Sequence, residues 1–194
     1  MQQEAALWHF ITGRGRNYLN KLLQRTDTCV LMARLGSLLF EQAGVPCTVH
    51  SVTFLARNRQ YMQLIEQHRR LPATPDEARA WLEAGAYSVV IDDATATPGK
   101  LAGHLILETP TYIGDPSLDQ GSRPNHDLKL SPWFMKRDGL SWNESEPFYI
   151  ENEQGTLVMY SKRPRPATDW ERSPDWTFCT SASLMYRNFV ALIK

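Results

Sequence analysis

The chain has 194 residues, 42% of them hydrophobic and 22% charged, which suits one globular domain with a substantial core and argues against intrinsic disorder. Its 21 basic and 21 acidic residues give a net charge of zero, so it lacks the electrostatic footprint of a protein that binds nucleic acid or an anionic membrane. It also lacks an apolar run of the roughly 20 residues that a membrane span needs, a signal-peptide pattern, and the cysteine count of a disulfide framework, so we expect a cytoplasmic protein.

The first pattern along the chain is helical. Apolar residues recur three and four positions apart over residues 4–23, on both sides of the GRGR sequence at Gly13–Arg16. Because glycine weakens a helix interior, we predict one helix in two pieces, with an exposed turn at the two glycines.

Residues 27–43 give the clearest helical pattern. Four leucines fall on one face, and Gly44 supplies the residue type that commonly ends a helix. Asp27 or Thr28 is a plausible N-cap. Cys29 is therefore expected in the first turn of this helix.

A strand and two further helices are predicted next. The β-branched run at 45–55 is typical of a strand, and helical spacing returns at 57–70. The Thr74–Glu77 sequence TPDE begins another helix, with a capping box and proline at the first helical position, which ends near residue 84. We interpret residues 57–84 as a helical insert.

The remainder of the chain predicts an antiparallel sheet. Residues 104–108 and 112–115 are strand-like and separated by a tight turn, which indicates a hairpin. The remaining predicted elements are a strand at 86–91, a long surface segment at 120–146, a second hairpin from 148–150 and 156–160, and a closing helix at 180–194. Residues 1–194 are therefore expected to form a single α+β domain, with N-terminal helices packed on an antiparallel sheet.

Cys29 is the first candidate for chemistry. A helix N-terminus stabilises negative charge through its free N–H groups and aligned peptide dipoles, and a nearby imidazolium adds to this, so a thiolate is favoured there. The backbone N–H of Cys29 would also point at an acyl oxygen bonded to its own sulfur, which is one half of an oxyanion hole. The alternative is a cysteine that serves as a small hydrophobic residue in the core.

His104 and Asp115 are the candidates for its partners. On a hairpin with a short turn they can lie on adjacent strands within hydrogen-bond reach, where the carboxylate would orient and stabilise the imidazolium. Each has an ordinary alternative. His104 could be a core residue with its hydrogen bonds satisfied, and Asp115, which precedes Pro116, could simply form a turn. Asp119 competes with Asp115 for the orienting role.

The ordered set of motifs resembles the transglutaminase-like, papain-like cysteine acyl-transfer superfamily. The resemblance rests on a cysteine that opens a helix ending at Ala43-Gly44-Val45-Pro46, on Gly103-His104-Leu105-Ile106-Leu107-Glu108, and on Tyr112-Ile113-Gly114-Asp115-Pro116-Ser117. Leu118-Asp119-Gln120 with Arg123-Pro124 is similar to the continuation of the last motif in a prokaryotic branch. The resemblance covers residues of about 27–124, and the helices at 57–84 depart from the family pattern.

The resemblance implies a papain-like core with a catalytic triad. Cys29 would be the nucleophile, His104 the base and then the acid, and Asp115 the residue that orients the imidazole, with acyl transfer through a thioester. A second oxyanion donor is not identifiable from a motif, and Gln24 is the candidate that we name. No organic cofactor is implied. The histidines show no metal-ligand spacing with one another or with cysteine, so no metal is expected.

These observations predict a cysteine-dependent enzyme that hydrolyses an amide or peptide bond, a protease or amidase, with a peptide, a protein or a small amide as substrate. The expected partners include neither nucleic acid nor membrane. Two alternatives stay open. One is a non-catalytic module that uses the same fold to bind a protein partner through the aromatic-rich segment 131–149. The other is an effector that deamidates or transglutaminates glutamine side chains.

Overall fold

The structure is a computed structural model that describes residues 2–23, 28–91, 103–138, 146–162, 169–173, 176, 187, 190 and 191. The first helical elements are α1 (Gln2–His9), a π-helical turn (Phe10–Arg14), α2 (Gly15–Leu23) and α3 (Cys29–Gln42). The strand β1 (Thr48–Arg57) precedes α4 (Arg59–His68) and α5 (Pro75–Glu83). The remaining strands are β2 (Ser88–Ile91), β3 (His104–Glu108), β4 (Tyr112–Asp115), β5 (Trp133–Lys136), β6 (Phe148–Glu151) and β7 (Leu157–Lys162).

Helices and an antiparallel sheet make the described part of the chain an α+β fold, as the sequence predicts. The strand order is β5-β4-β3-β1-β7-β6, and β2 pairs with the second half of β1, beyond β3. Both predicted hairpins are confirmed, because β3 pairs with β4 and β6 pairs with β7, each antiparallel. The helices predicted between residues 57 and 84 are confirmed as α4 and α5.

The N-terminal helical segment differs from its prediction. Residues Phe10–Arg14 form a π-helical turn, and Gly15 keeps right-handed helical dihedral angles, so the segment continues instead of breaking at the glycines. Ile11 and Arg16, on either side of these glycines, are both buried. Contacts with the rest of the protein therefore offset the weak helix propensity of glycine.

Two further predictions concern the later part of the chain. Within the predicted surface segment at 120–146, residues Trp133–Lys136 form the edge strand β5, which pairs with β4. Aromatic residues scattered among prolines hid this strand from a periodicity argument. The closing helix predicted at 180–194 lies outside the described residues except for positions 187, 190 and 191, which are helical.

The core lies on both faces of the sheet. On one face, α1 and α3 pack over Leu105 and Leu107 of β3. On the other face, the buried side chains belong to alternate positions of the strands and to the loops that cover them, among them Val52, Phe54, Ile106, Ile113, Leu128 and Tyr160. Helix α3 approaches β3 closely at Gly36, where any Cβ atom would collide with the Leu107 side chain. This close approach fixes α3, and with it Cys29, relative to β3.

Candidate active site

The three residues predicted to act together occupy the ends of three elements. Cys29 is the first residue of α3, His104 the first of β3, and Asp115 the last of β4. Continuing the β3–β4 register places Asp115 opposite Ile106, which lies on the same face of β3 as His104. A diagonal pair of this kind is within reach of long side chains. The hairpin thus brings the imidazole and the carboxylate together.

His104 and Asp115 form a buried hydrogen-bonded pair. The imidazole Nε2 and the carboxylate Oδ2 are 2.6 Å apart, and the two side chains are 1% and 0% exposed. Asp115 Oδ1 accepts from the backbone N–H of Ser117 at 2.9 Å and from its hydroxyl at 3.2 Å. Tyr160 donates its hydroxyl to Oδ2 at 2.9 Å, and Trp133 Nε1 donates to that hydroxyl oxygen, also at 2.9 Å. These donors satisfy the hydrogen-bonding capacity of the buried carboxylate.

The environment favours a charged imidazole. Burial by itself lowers the pKa of His104, but the charge and hydrogen bond of Asp115 oppose it, and the hydrogen bond and charge of Cys29 add to their effect. The net result raises the pKa of His104 from 6.5 to about 10. Burial and the neighbouring Asp115 charge raise the pKa of Tyr160 well above its usual range, so its hydroxyl remains a donor.

Cys29 reaches this pair from the N-terminus of α3. Its side chain is partly buried and close enough to His104 to raise the pKa of the imidazole. Nε2 of the ring faces Asp115, so a thiol partner would share Nδ1 with Gln120. Thr28, the N-cap, makes no side-chain hydrogen bond to the helix, so its hydroxyl leaves the first-turn N–H groups to other acceptors. The Thr28 hydroxyl therefore does not compete with a negative charge at Cys29 for these N–H donors.

Cys47 offers a contrast within the same chain. Burial and the charge of Glu108 raise the pKa of the Cys47 thiol to about 12. This thiol stays protonated at neutral pH and is a poor nucleophile. Cys47 also lines a cavity of about 740 Å³ together with Arg34, Ser51, Trp170 and Trp176, and neither Cys29, His104 nor Asp115 lines that cavity.

Gln120 is a contact that the sequence did not assign. Its amide Nε2 lies 2.6 Å from His104 Nδ1, the ring nitrogen that does not face Asp115. A side-chain amide can present its oxygen to a protonated Nδ1 or its NH₂ group to a neutral one. Gln120 follows the Asp115-Pro116-Ser117 motif by three residues and belongs to the Leu118-Asp119-Gln120 continuation of the resemblance, but no role was assigned to it from either signal.

Asp119, the predicted competitor of Asp115, faces another group. Its carboxylate oxygens lie 3.0 and 3.2 Å from Arg16 Nε, and Oδ1 lies 2.8 Å from Arg16 Nη2. The contact with His104 belongs to Asp115. Gln24, the candidate second oxyanion donor, lies outside the described residues. Within the described residues, no group of three or more His, Cys, Asp and Glu side chains could hold a metal ion.

Comparison with known protein families finds no match, and comparisons with curated proteins and with solved structures likewise find none. In the part of the chain that the structure describes, no helix has both the length and the apolar character that crossing a bilayer requires. A function for this chain must therefore follow from the geometry of the site itself.

Proposed function

We propose that this protein is a cysteine-dependent acyl-transfer enzyme that hydrolyses amide or peptide bonds, built on a papain-like core of the transglutaminase-like kind. The observation that carries the proposal is the buried pair of His104 and Asp115, together with Cys29, which is close enough to the same imidazole to raise its pKa. A buried His–Asp pair alone could be structural. A thiol at a helix N-terminus near such an imidazole is the arrangement that nucleophilic catalysis by cysteine needs.

Each residue would have a defined role in the reaction. The Cys29 sulfur attacks the carbonyl carbon, and the backbone N–H groups at the start of α3 stabilise the negative oxygen that forms. The C–N bond then breaks, and the leaving amine takes a proton from His104, which gives a thioester on Cys29. A water molecule attacks the thioester and passes a proton back to His104. The carboxylic acid leaves, and the thiolate–imidazolium pair is restored.

Asp115 would hold the imidazole in place and stabilise its charge throughout. The Nε2–Oδ2 contact would turn Nδ1, beside Gln120, toward the sulfur and the leaving group, and Tyr160 and Ser117 donate hydrogen bonds that hold the carboxylate in position. A peptide, a protein or a small amide is the substrate class that fits this chemistry. Water, rather than a second amine, is the acceptor that we favour, because no acceptor site is recognisable from the sequence.

The experiment that tests the proposal follows the alkylation of Cys29 by iodoacetamide as pH is varied. Peptide mapping by mass spectrometry separates Cys29 from Cys47, whose high pKa makes it an internal reference for an unactivated thiol. We expect Cys29 to react well below pH ~7, and His104→Ala to abolish this low-pH reactivity. A Cys29 rate that follows an ordinary thiol with a pKa of about 8.5, unchanged by His104→Ala, would favour the binding module instead.

A further inference from the structure

Arg16 is a buried cation that the proposed reaction does not use. Its side chain is 4% exposed, and its guanidinium contacts two residues from distant parts of the chain. Nε and Nη2 donate to the Asp119 carboxylate, at 3.0 Å and 2.8 Å from Oδ1. Nη1 donates to the hydroxyl of Thr28. One planar group thus joins α2, the start of α3 and the turn after β4.

The two partners of Arg16 each precede a residue of the candidate site. Thr28 immediately precedes Cys29, and Asp119 immediately precedes Gln120, whose amide touches His104. Asp119 belongs to the 3₁₀ turn Leu118–Gly121, which starts after Ser117, a donor to Asp115. The guanidinium therefore connects the side of the site that carries the thiol with the side that carries the imidazole.

Thr28 is engaged in an unusual way for an N-cap residue. Threonine at this position commonly accepts from a first-turn N–H of its own helix, but here the side chain makes no such bond. Its hydroxyl accepts from Arg16 instead, and its side chain is buried. The residue before Cys29 is thus tied to the other half of the site, and its hydroxyl does not cap α3.

Simple stabilisation accounts poorly for this contact. The Arg16 side chain is 4% exposed and that of Asp119 is 28% exposed. Taking the guanidinium out of water costs free energy that its attraction to a partly exposed carboxylate only partly repays, so the ion pair is weak evidence for stability. The pair is also neutral as a whole, which limits its direct electrostatic effect on a nearby thiol. Arg16 contributes geometry instead, because its forked guanidinium holds Asp119 and Thr28 at fixed distances.

We propose that Arg16 is a positioning residue that sets the separation between Cys29 and His104, acting through Thr28 on one side and Asp119 on the other. This inference rests on the proposed function. A displacement of about 1 Å between reacting groups can cost about 100-fold in rate, so a rigid link across the site has a large effect on chemistry.

The test uses the full chain and a pair of substitutions at Thr28. Thr28→Val removes the hydroxyl that accepts from Arg16 but leaves the Arg16–Asp119 ion pair, and Thr28→Ser keeps a hydroxyl. Arg16→Gln removes both contacts, and Arg14→Gln, at an exposed arginine two residues earlier, is the matched control. Cys29 alkylation is measured at about pH 6, where only a paired thiolate reacts quickly, and at about pH 10, where ordinary thiols are ionised.

We expect Thr28→Val and Arg16→Gln to lower the rate at low pH about 10- to 100-fold while the rate at high pH stays within about twofold. Thr28→Ser and Arg14→Gln should behave as the wild type, and the double variant of Arg16 and Thr28 should be no worse than Arg16→Gln. If Arg16→Gln does not fold, the two Thr28 variants decide the matter.

Two results would overturn the inference while leaving the proposed function intact. One is a wild-type pH profile in folded Thr28→Val. The other is an equal loss at low and high pH, which would indicate a merely structural role. If the wild type itself lacks low-pH reactivity that depends on His104, the proposed function fails, and the positioning role of Arg16 fails with it.

Discussion

Replacing Asp115 with asparagine tests what holds the charge on His104. The substitution keeps the size and planarity of the side chain but removes its negative charge, which is the largest influence that raises the pKa of His104. With that charge gone, burial dominates, and burial lowers the pKa. We therefore expect the pKa of His104 in Asp115→Asn to fall below its ordinary value of 6.5.

The size of the effect follows from the wild-type value. Raising the pKa of His104 from 6.5 to about 10 corresponds to a preference for the protonated ring of about 5 kcal/mol. Asp115 supplies more of this preference than Cys29 does, so Cys29→Ala should lower the pKa by less than Asp115→Asn. At pH ~7 the imidazole should be charged in the wild type and neutral in Asp115→Asn.

The assay is nitrogen NMR of the protein labelled on histidine, because the two ring nitrogens report protonation state and tautomer separately. The chain has five histidines, and a His104→Gln variant identifies the resonances of interest. The wild-type ring should show two protonated nitrogens up to at least pH ~9. A wild-type His104 that titrates near 6.5, or one that stays charged in Asp115→Asn, would refute this reasoning.

Three further predictions follow from contacts in and around the site. Tyr160→Phe removes the donor to Asp115 and leaves the Trp133 indole N–H without its acceptor, so the free energy of unfolding should fall by about 1–3 kcal/mol. A change below about 0.3 kcal/mol in urea denaturation would contradict these two hydrogen bonds of the Tyr160 hydroxyl. Gly114→Ala would place a Cβ atom 2.5 Å from the backbone oxygen of Trp133, so β4 and β5 must separate and the midpoint temperature of thermal unfolding should fall. An unchanged midpoint would refute the close packing of Gly114 against β5. In a Cys29→Ser protein, folded His104 keeps a proton that the unfolded chain loses above pH ~6.5. The free energy of unfolding should therefore fall as pH rises from ~6.5 toward the pKa of folded His104, by up to about 1.4 kcal/mol per pH unit. Adding His104→Gln should remove this slope.

The sequence predicted those parts of the site that depend on local patterns. The helix that begins at Cys29 follows from its apolar face and polar N-terminal flank, and the hairpin of β3 and β4 follows from two strand-like runs around a tight turn. Because a hairpin fixes which residues lie across from each other, the approach of His104 and Asp115 could be predicted from a spacing of 11 residues.

The contacts that depend on the tertiary fold could not be predicted in this way. Tyr160 reaches Asp115 from 45 residues away, and Arg16 reaches Asp119 from 103 residues away. Neither residue carries a local pattern that distinguishes it from other polar residues. Arg16 was also in a segment that we expected to be an exposed turn, so its burial reverses that prediction.

The thioester on Cys29 can be sought directly. The protein is mixed with an activated acyl donor such as a nitrophenyl ester, and the release of nitrophenolate is followed together with the mass of the Cys29 peptide. The proposed mechanism predicts a burst of about one equivalent and an acyl group on Cys29, which is lost slowly to water or faster to an added amine. The burst should be absent in Cys29→Ala and His104→Ala. Release without a burst, or acylation at residues other than Cys29, would contradict the mechanism.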